Sequence, residues 1–470
     1  MIHRDMKEKK LPAPGLEECI KACGGTKAFV SGTDVYQRIP GLLMDEFGSR
    51  RIFLIADENT LRVVGADFER ELCAAGTEIA GRHIFPAEPR LHGDYCHIET
   101  LVRKIAETPD VKNCVPVAVG AGTINDLVKR AAFELSLPYL CVPTAASVDG
   151  FTSYGAAILK DDFKQTLPCD APLSVVADTG VLSRAPAWLS SSGFADLAGK
   201  ITAGADWIIA DTVADLGAKG FQRIEPTAWG MVQHGLYDYL ARSVSAAQGD
   251  EDALGALFEA LSITGFSMQY LKDSRPVSGA EHLFAHVWEM NDLSVNGNPV
   301  THGHKVAFGT LAMTAFLEIL FADLKGPPPL PGEYRRPSPE ERAMQVKSAF
   351  AHAFKAGSPG LEGIVEASMK KYPNTQNDKY FRDGIRDKWK DLRENVLEQL
   401  MPYADLKAVF VKAGCPVLPS EINLTRNDVI ACARLAQMIR NRYTGLDLAW
   451  DLGCFETVLA RMEESGLYLL

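Results

Sequence analysis

The chain has 470 residues, is 47% hydrophobic and 23% charged, and carries a formal charge of -11 from 49 Lys and Arg against 60 Asp and Glu. These proportions belong to a globular protein and exclude disordered and collagen-like classes, and at about 150 residues per domain the length points to two or three domains. The acidic balance opposes nucleic acid and anionic lipid, no run nears the about 18 apolar residues of a membrane span, and the start MIHRDMKEKK is charged where a signal peptide is apolar, so a cytoplasmic protein without nucleic-acid or membrane partners is expected.

Short apolar runs at residues 51–56, 114–120, 139–142 and 174–177 read as strands, with helical spacing between the first three. IFLIAD, VPVAVG and YLCVP are continuously apolar, as in strands of a parallel sheet buried on both faces. Beyond Pro186 the strand signal fades and helical spacing takes over, as at residues 252–271 and 379–401. The predicted fold is therefore α/β: an open, Rossmann-like parallel-sheet domain over residues 1–180, then an all-helical domain over 181–470. The proline-rich stretch at residues 326–342 reads as an exposed connection. Ten scattered cysteines, the closest pair being Cys19 and Cys23, suggest neither a disulfide framework nor a zinc finger.

Three segments carry chemistry. VPVAVG runs into Gly120, Ala121 and Gly122 and then a helical pattern opening with Thr123 and Ile124, a turn whose backbone N–H groups suit a phosphate. It departs from the GxGxxG dinucleotide fingerprint at Asn125 and reads equally well as a tight turn. Asp57, after the first of these strands, suits either a ribose hydroxyl or a helix cap. The second segment, PTAASVDGFTS, follows another buried strand and offers Thr144, Ala145, Ala146, Ser147, Asp149, Thr152 and Ser153 where α/β sheets bind ligands; the alternative is a turn rich in caps. The third is histidine: of ten, four are His282 and His286 in GAEHLFAH and His302 and His304 in THGHKVAFG. An i, i+4 pair shares one helix face, which suits a metal ligand beside an acid/base group, and Asp196 in GFADLAGK is the expected further donor.

Taken together, GAGTIND, PTAASVDGFTS, GFADLAGKITAGADW, SGAEHLFAH and HGHKVAFG resemble the longer, bacterial branch of the glycerol-1-phosphate dehydrogenases, within the superfamily of dehydroquinate synthases and metal-dependent polyol dehydrogenases. The resemblance runs from about Arg51 to RYTGLDLAWDLG. It implies an active site in the cleft between the two domains, with Asp196, His282 and His302 as ligands of one divalent ion, zinc or nickel, and His286 as a substrate or proton-relay residue. It assigns Gly120, Gly122, Thr144, Ser147 and Ser153 to NAD or NADP, and Ala121, Thr123, Ile124, Ala145 and Ala146 beside them, with Asp57, are further candidates for the cofactor. Asp149 then meets the substrate's hydroxyl groups. Two positions depart from the family pattern: Ala121 stands where a third glycine is usual, and His304 where an acidic residue is common.

The implied reaction is the reversible, NAD(P)-dependent reduction of dihydroxyacetone phosphate to sn-glycerol 1-phosphate. Alternatives are a polyol dehydrogenase without phosphate selectivity, a sugar-phosphate cyclase like dehydroquinate synthase, or a non-catalytic nucleotide sensor. Lys200 and Arg275 are candidate phosphate cations, against a reading as solvated surface charges. A homo-oligomer, a dimer in the first instance, and a small phosphorylated ketone or polyol are the expected partners.

Overall fold

A computed structural model describes residues 14–65, 68–160, 163–217, 222–323, 325–326, 336–372 and 378–466. Six strands, β1 (Ala28–Gly32), β2 (Arg51–Asp57), β3 (Glu78–Phe85), β4 (Val115–Gly120), β5 (Leu140–Pro143) and β8 (Ser174–Asp178), form one sheet in the order β1-β8-β5-β4-β2-β3. Every pairing in it is parallel. A separate antiparallel hairpin joins β6 (Ala156–Lys160) to β7 (Phe163–Leu167). The four strands predicted from apolar runs are the four interior ones, and their alternate residues Ile52, Leu54, Val117, Val119, Leu140, Val142 and Val176 share one core cluster. The chain leaves β2 for the β3 edge and then returns to β4 on the other side. This reversal puts a switch point at the carboxyl ends of β2 and β4, where such sheets bind ligands.

The chain divides into two compact units, one of residues 12–197 and 230–273 and one containing residues 198–229 and 274–470. The sheet unit thus does not close at residue 180. The Glu251–Leu271 helix belongs to it because Phe258 stacks on Phe29 of β1, ring centroids 5.8 Å apart, and Gln269 Oε1 accepts the backbone N–H groups of Gly25 and Thr26. Within the second unit, strand structure among the described residues is confined to the two-residue pair Ser294–Val295 and Asn298–Pro299.

The proline-rich connection is shorter than expected. Residues 327–335 of it lie outside the described residues, as does the MIHRDMKEKK start, but Pro339–Phe350 is a helix. Proline at the first helical position removes only an N–H that would be orphaned anyway, and Ser338 caps this helix through the N–H of Glu341. All ten cysteines are free thiols, seven of them buried. Burial raises the thiol of Cys432 well above its usual range and that of Cys114 to about 11, so these are inert core residues.

One carboxylate ties three segments of the second unit together. Asp206, fully buried on the Lys200–Ala214 helix, accepts the N–H of Ala280 at 2.7 Å with Oδ2 and that of Gly445 at 2.7 Å with Oδ1. It thereby caps the Ala280–Met290 helix and the Gly445–Asp451 helix at once. Burial, with the nearby charge of Glu281, pushes its carboxyl up to about 7. Asp206→Ala would leave two buried N–H donors unmet, each worth about 1–3 kcal/mol. A loss of roughly 2–6 kcal/mol in urea unfolding is therefore expected, and a change below about 0.5 kcal/mol would show that other groups hold these helix ends.

Candidate active site

The two histidine motifs lie on consecutive helices. His282 and His286 are on Ala280–Met290, one turn apart, and His302 opens His302–Leu320, whose N-cap Thr301 accepts the N–H of His304 at 3.2 Å. Between them Asn296 and Gly297, with φ of 51° and 79°, make the turn of the short antiparallel pair and reverse the chain. The helices then pack closely: a Cβ at Gly309 would come within 2.3 Å of the Glu281 carbonyl oxygen. This brings the His302 ring within 5.3 Å of the His282 ring and 6.2 Å of the His286 ring, centroid to centroid.

Each imidazole meets a carboxylate at Nδ1. Glu281 Oε1 lies 2.7 Å from His282 Nδ1, Glu289 Oε1 2.8 Å from His302 Nδ1, and Glu289 Oε2 3.3 Å from His286 Nδ1. Glu281 is fully buried, which alone would raise its carboxyl, but the His282 hydrogen bond and charge and the N–H of Gly279 outweigh this and hold it low. Thr202 Oγ1 donates to its other oxygen at 2.9 Å. Burial drives His286 down to about 3 against the opposing pull of Glu289, and burial likewise takes His304 down to about 4. Both are neutral imidazoles at ordinary pH. His304 therefore brings no charge to the position it occupies.

Asp196 is fully buried on the last turn of Ala187–Ala198. Gly193, one turn earlier, lets that helix touch the PTAASVDGFTS segment, since a Cβ there would stand 2.0 Å from the Ala146 carbonyl oxygen. Asp196 Oδ2 consequently accepts the backbone N–H of Asp149 at 3.0 Å. Asp196, His282 and His302 form a group that can hold a metal ion, each offering one ligand atom within 4.8 Å of the others.

The glycine turn sits where the sequence placed it. Gly120 ends β4, Ala121 is the N-cap of Gly122–Glu134, and the N-cap makes no side-chain hydrogen bond to that helix. Gly122 also has a packing reason, because a Cβ there would meet Val148 Cγ2 at 2.8 Å. Thr123 and Ile124 continue this first turn. Asp57 caps the Glu58–Val64 helix by accepting the Thr60 N–H at 2.8 Å, so its helix-cap role is filled. Thr144, Ala145, Ala146, Ser147 and Ser153 are buried. Ser153 Oγ donates to the Gly150 carbonyl and accepts from Lys129 Nζ, while Thr152 Oγ1 donates to the Ser262 carbonyl. Lys200 and Arg275 are not solvated surface charges: they are 0% and 1% exposed, and Arg275 Nη2 donates to the Asp206 carbonyl.

Sequence reasoning missed Glu281, Glu289 and Lys129. Glu281 precedes His282 directly and Glu289 follows His286 by three, a helical spacing that would have flagged it. Lys129, fully buried, reaches from the Gly122–Glu134 helix to the carbonyls of Gly150 and Gly155, and Asn125 Nδ2 also donates to Gly150, so the segment bearing Asp149 is fastened to the glycine-turn helix.

An open parallel sheet with a glycine turn at a strand end, and an Asp-His-His group that can hold a metal ion, fit the class of metal-dependent alcohol dehydrogenases, and residues 30–186 match the family described as iron-containing alcohol dehydrogenase. The chain is 34% identical over 340 residues to a glycerol-1-phosphate dehydrogenase [NAD(P)+] of Geobacillus stearothermophilus, covering 72% of this chain and 78% of that one. It is 36% identical over 258 residues to one from Bacillus velezensis, covering 54% of this chain and 62% of the other. The chain belongs to the glycerol-1-phosphate dehydrogenase family. Its fold is that of the crystal structure of a probable glycerol dehydrogenase from Sinorhizobium meliloti, at a TM-score of 0.57 and 16% identity over 94% of this chain and 98% of that one.

Proposed function

We propose that the protein is an NAD(P)-dependent oxidoreductase that reduces dihydroxyacetone phosphate reversibly to sn-glycerol 1-phosphate, using one divalent ion. The observation that carries this reading is the Asp196, His282 and His302 group, in a chain 34% identical to a named glycerol-1-phosphate dehydrogenase. The donor set fits such an ion. One carboxylate and two imidazoles suit zinc, nickel or iron(II), three protein ligands leave positions open for a substrate oxygen, and with Nδ1 of each histidine held by a carboxylate it is Nε2 that faces an ion. When bound, the ion supplies Lewis acidity at the carbonyl oxygen and the nicotinamide supplies the hydride.

The chain's own residues do the rest. The first-turn N–H groups of Gly122–Glu134 bind the cofactor's phosphates, with the segment from Thr144 to Ser153 beside them in the role the family implies. Asp149, held through its backbone by Asp196, orients the substrate's hydroxyl groups, and His286 carries the proton exchanged with the substrate oxygen.

With a net charge of -11, preference for a phosphorylated ketone must come from nearby cations and helix ends, which act within a Debye length of about 8 Å. Initial rates with NADH or NADPH and dihydroxyacetone phosphate, dihydroxyacetone or a heptulosonate phosphate test the proposal. We expect kcat/KM to favour dihydroxyacetone phosphate at least tenfold, about 1.4 kcal/mol. We further expect the preference to shrink in Lys200→Gln and Arg275→Gln. Equal values for the two ketones would leave the unphosphorylated polyol dehydrogenase as the better reading.

A further inference from the structure

Glu289 stands between two histidines to which separate tasks have been given. Its side chain is 8% exposed, and its two oxygens are divided: Oε1 at 2.8 Å from Nδ1 of His302 and Oε2 at 3.3 Å from Nδ1 of His286. An ionised carboxylate has only lone pairs, so a nitrogen that hydrogen-bonds to it must be the one bearing the proton. A neutral imidazole carries one N–H, and a proton fixed at Nδ1 leaves Nε2 bare. We propose that Glu289 is a positioning residue that sets the tautomer and ring orientation of His302 and His286 together, making His302 Nε2 available to the metal ion and His286 Nε2 a hydrogen-bond acceptor for a substrate hydroxyl.

The inference rests on the reading of His302 as a ligand and His286 as the proton-carrying residue, and it deepens that reading. His282 has its own carboxylate, Glu281, fixed in turn by the N–H of Gly279 at 2.6 Å and by Thr202. His302 shares its carboxylate with a residue that is not a ligand. The two imidazoles are therefore not independent: a change at Glu289 moves the metal ligand and the acid/base group at once, whereas a change at Glu281 acts on a ligand alone. The shared carboxylate also gives His286 a direction of use. With Nε2 bare it accepts the proton of an alcohol in oxidation, and the imidazolium so formed is the proton donor in the reverse, reductive direction.

The test uses the full-length protein with histidine labelled in 15N, stripped of metal and then titrated with zinc. Side-chain 15N shifts of the unmodified protein are expected to place the proton of His286 and of His302 on Nδ1; a proton on Nε2 of His286 would overturn the proposal without any variant. In Glu289→Gln the amide offers one acceptor and one donor, so one of the two rings is expected to move its proton to Nε2. Zinc affinity, measured by competition with a chromophoric chelator, is expected to fall about 10- to 100-fold, as for loss of other carboxylates behind a metal-bound histidine. Glu289→Asp, which keeps the charge, is expected to recover part of the affinity. Unchanged tautomers and affinity in Glu289→Gln would overturn this inference if His302→Ala still abolishes zinc binding. If His302→Ala binds zinc normally, the ligand assignment itself fails.

Discussion

Alanine at Asp196, His282 or His302 is expected to release the divalent ion and abolish NAD(P)H-dependent turnover, because two remaining protein ligands do not hold a cation in a catalytic geometry. The three variants should differ in stability. His282→Ala leaves the carboxylate of Glu281 buried without its imidazole, and breaking such a buried pair costs about 3–5 kcal/mol. Asp196→Ala instead releases the backbone N–H of Asp149 and so loosens the PTAASVDGFTS segment. His302, a quarter exposed at its side chain, should be the mildest for folding. Elemental analysis of each purified variant, with initial rates and thermal melts, checks all three. A variant retaining full metal content and activity would remove that residue from the ligand set.

His286→Ala is expected to keep the ion and lower kcat by roughly 10²- to 10⁴-fold, the usual contribution of a positioned acid or base. Because burial drives His286 down to about 3, the group is neutral throughout the range in which the enzyme is assayed. Its charge state changes only near the acid end, so the loss should be as large at pH 6 as at pH 8. A metal-free His286→Ala protein would mean that ligand and relay had been interchanged.

The strands that sequence patterning identified and those it missed separate by position in the sheet. β2, β4, β5 and β8 lie in its interior, buried on both faces, and announce themselves as continuous apolar runs. β1 and β3 are its two edges. Ala28–Gly32 is buried only at Val30 and exposed at Ser31, and Glu78–Phe85 is mostly half-buried, with Glu78, Arg82 and His83 along it, as befits a strand that must not recruit another. Neither carries the uninterrupted signal. The division of the helices between the units was equally hidden, since Phe258 on Phe29 and Gln269 on the Thr26 backbone are pairings that helical spacing cannot announce.

At the candidate site, Asp196 and the histidine motifs stand out on the sequence through their residue types, the i, i+4 histidine spacing and the family resemblance, and the structure groups Asp196, His282 and His302 within reach of one another. The supporting carboxylates stand out less. Glu281 and Glu289 show no sign of burial on the sequence, and beyond the helical spacing of Glu289 from His286 it is their hydrogen bonds to His282, His302 and His286 that give them meaning. Lys200 and Arg275 carried the opposite error, charge having been taken as a sign of exposure when both are buried.

The span of the Asp206 contacts bears on when they can be made during synthesis. Its bond to Ala280 closes a loop of 74 residues, and its bond to Gly445 one of 239. The six strands of the parallel sheet lie before residue 179, and the Glu251–Leu271 helix that packs on β1 follows them by some seventy residues. The Asp206 junction is completed later still, because Gly445 is not translated until the last thirty or so residues of the 470. At about 5–20 residues per second, Asp206 waits roughly ten seconds or more for its second partner. A ribosome stalled before residue 445 would therefore leave Asp206 with only one of its two backbone partners.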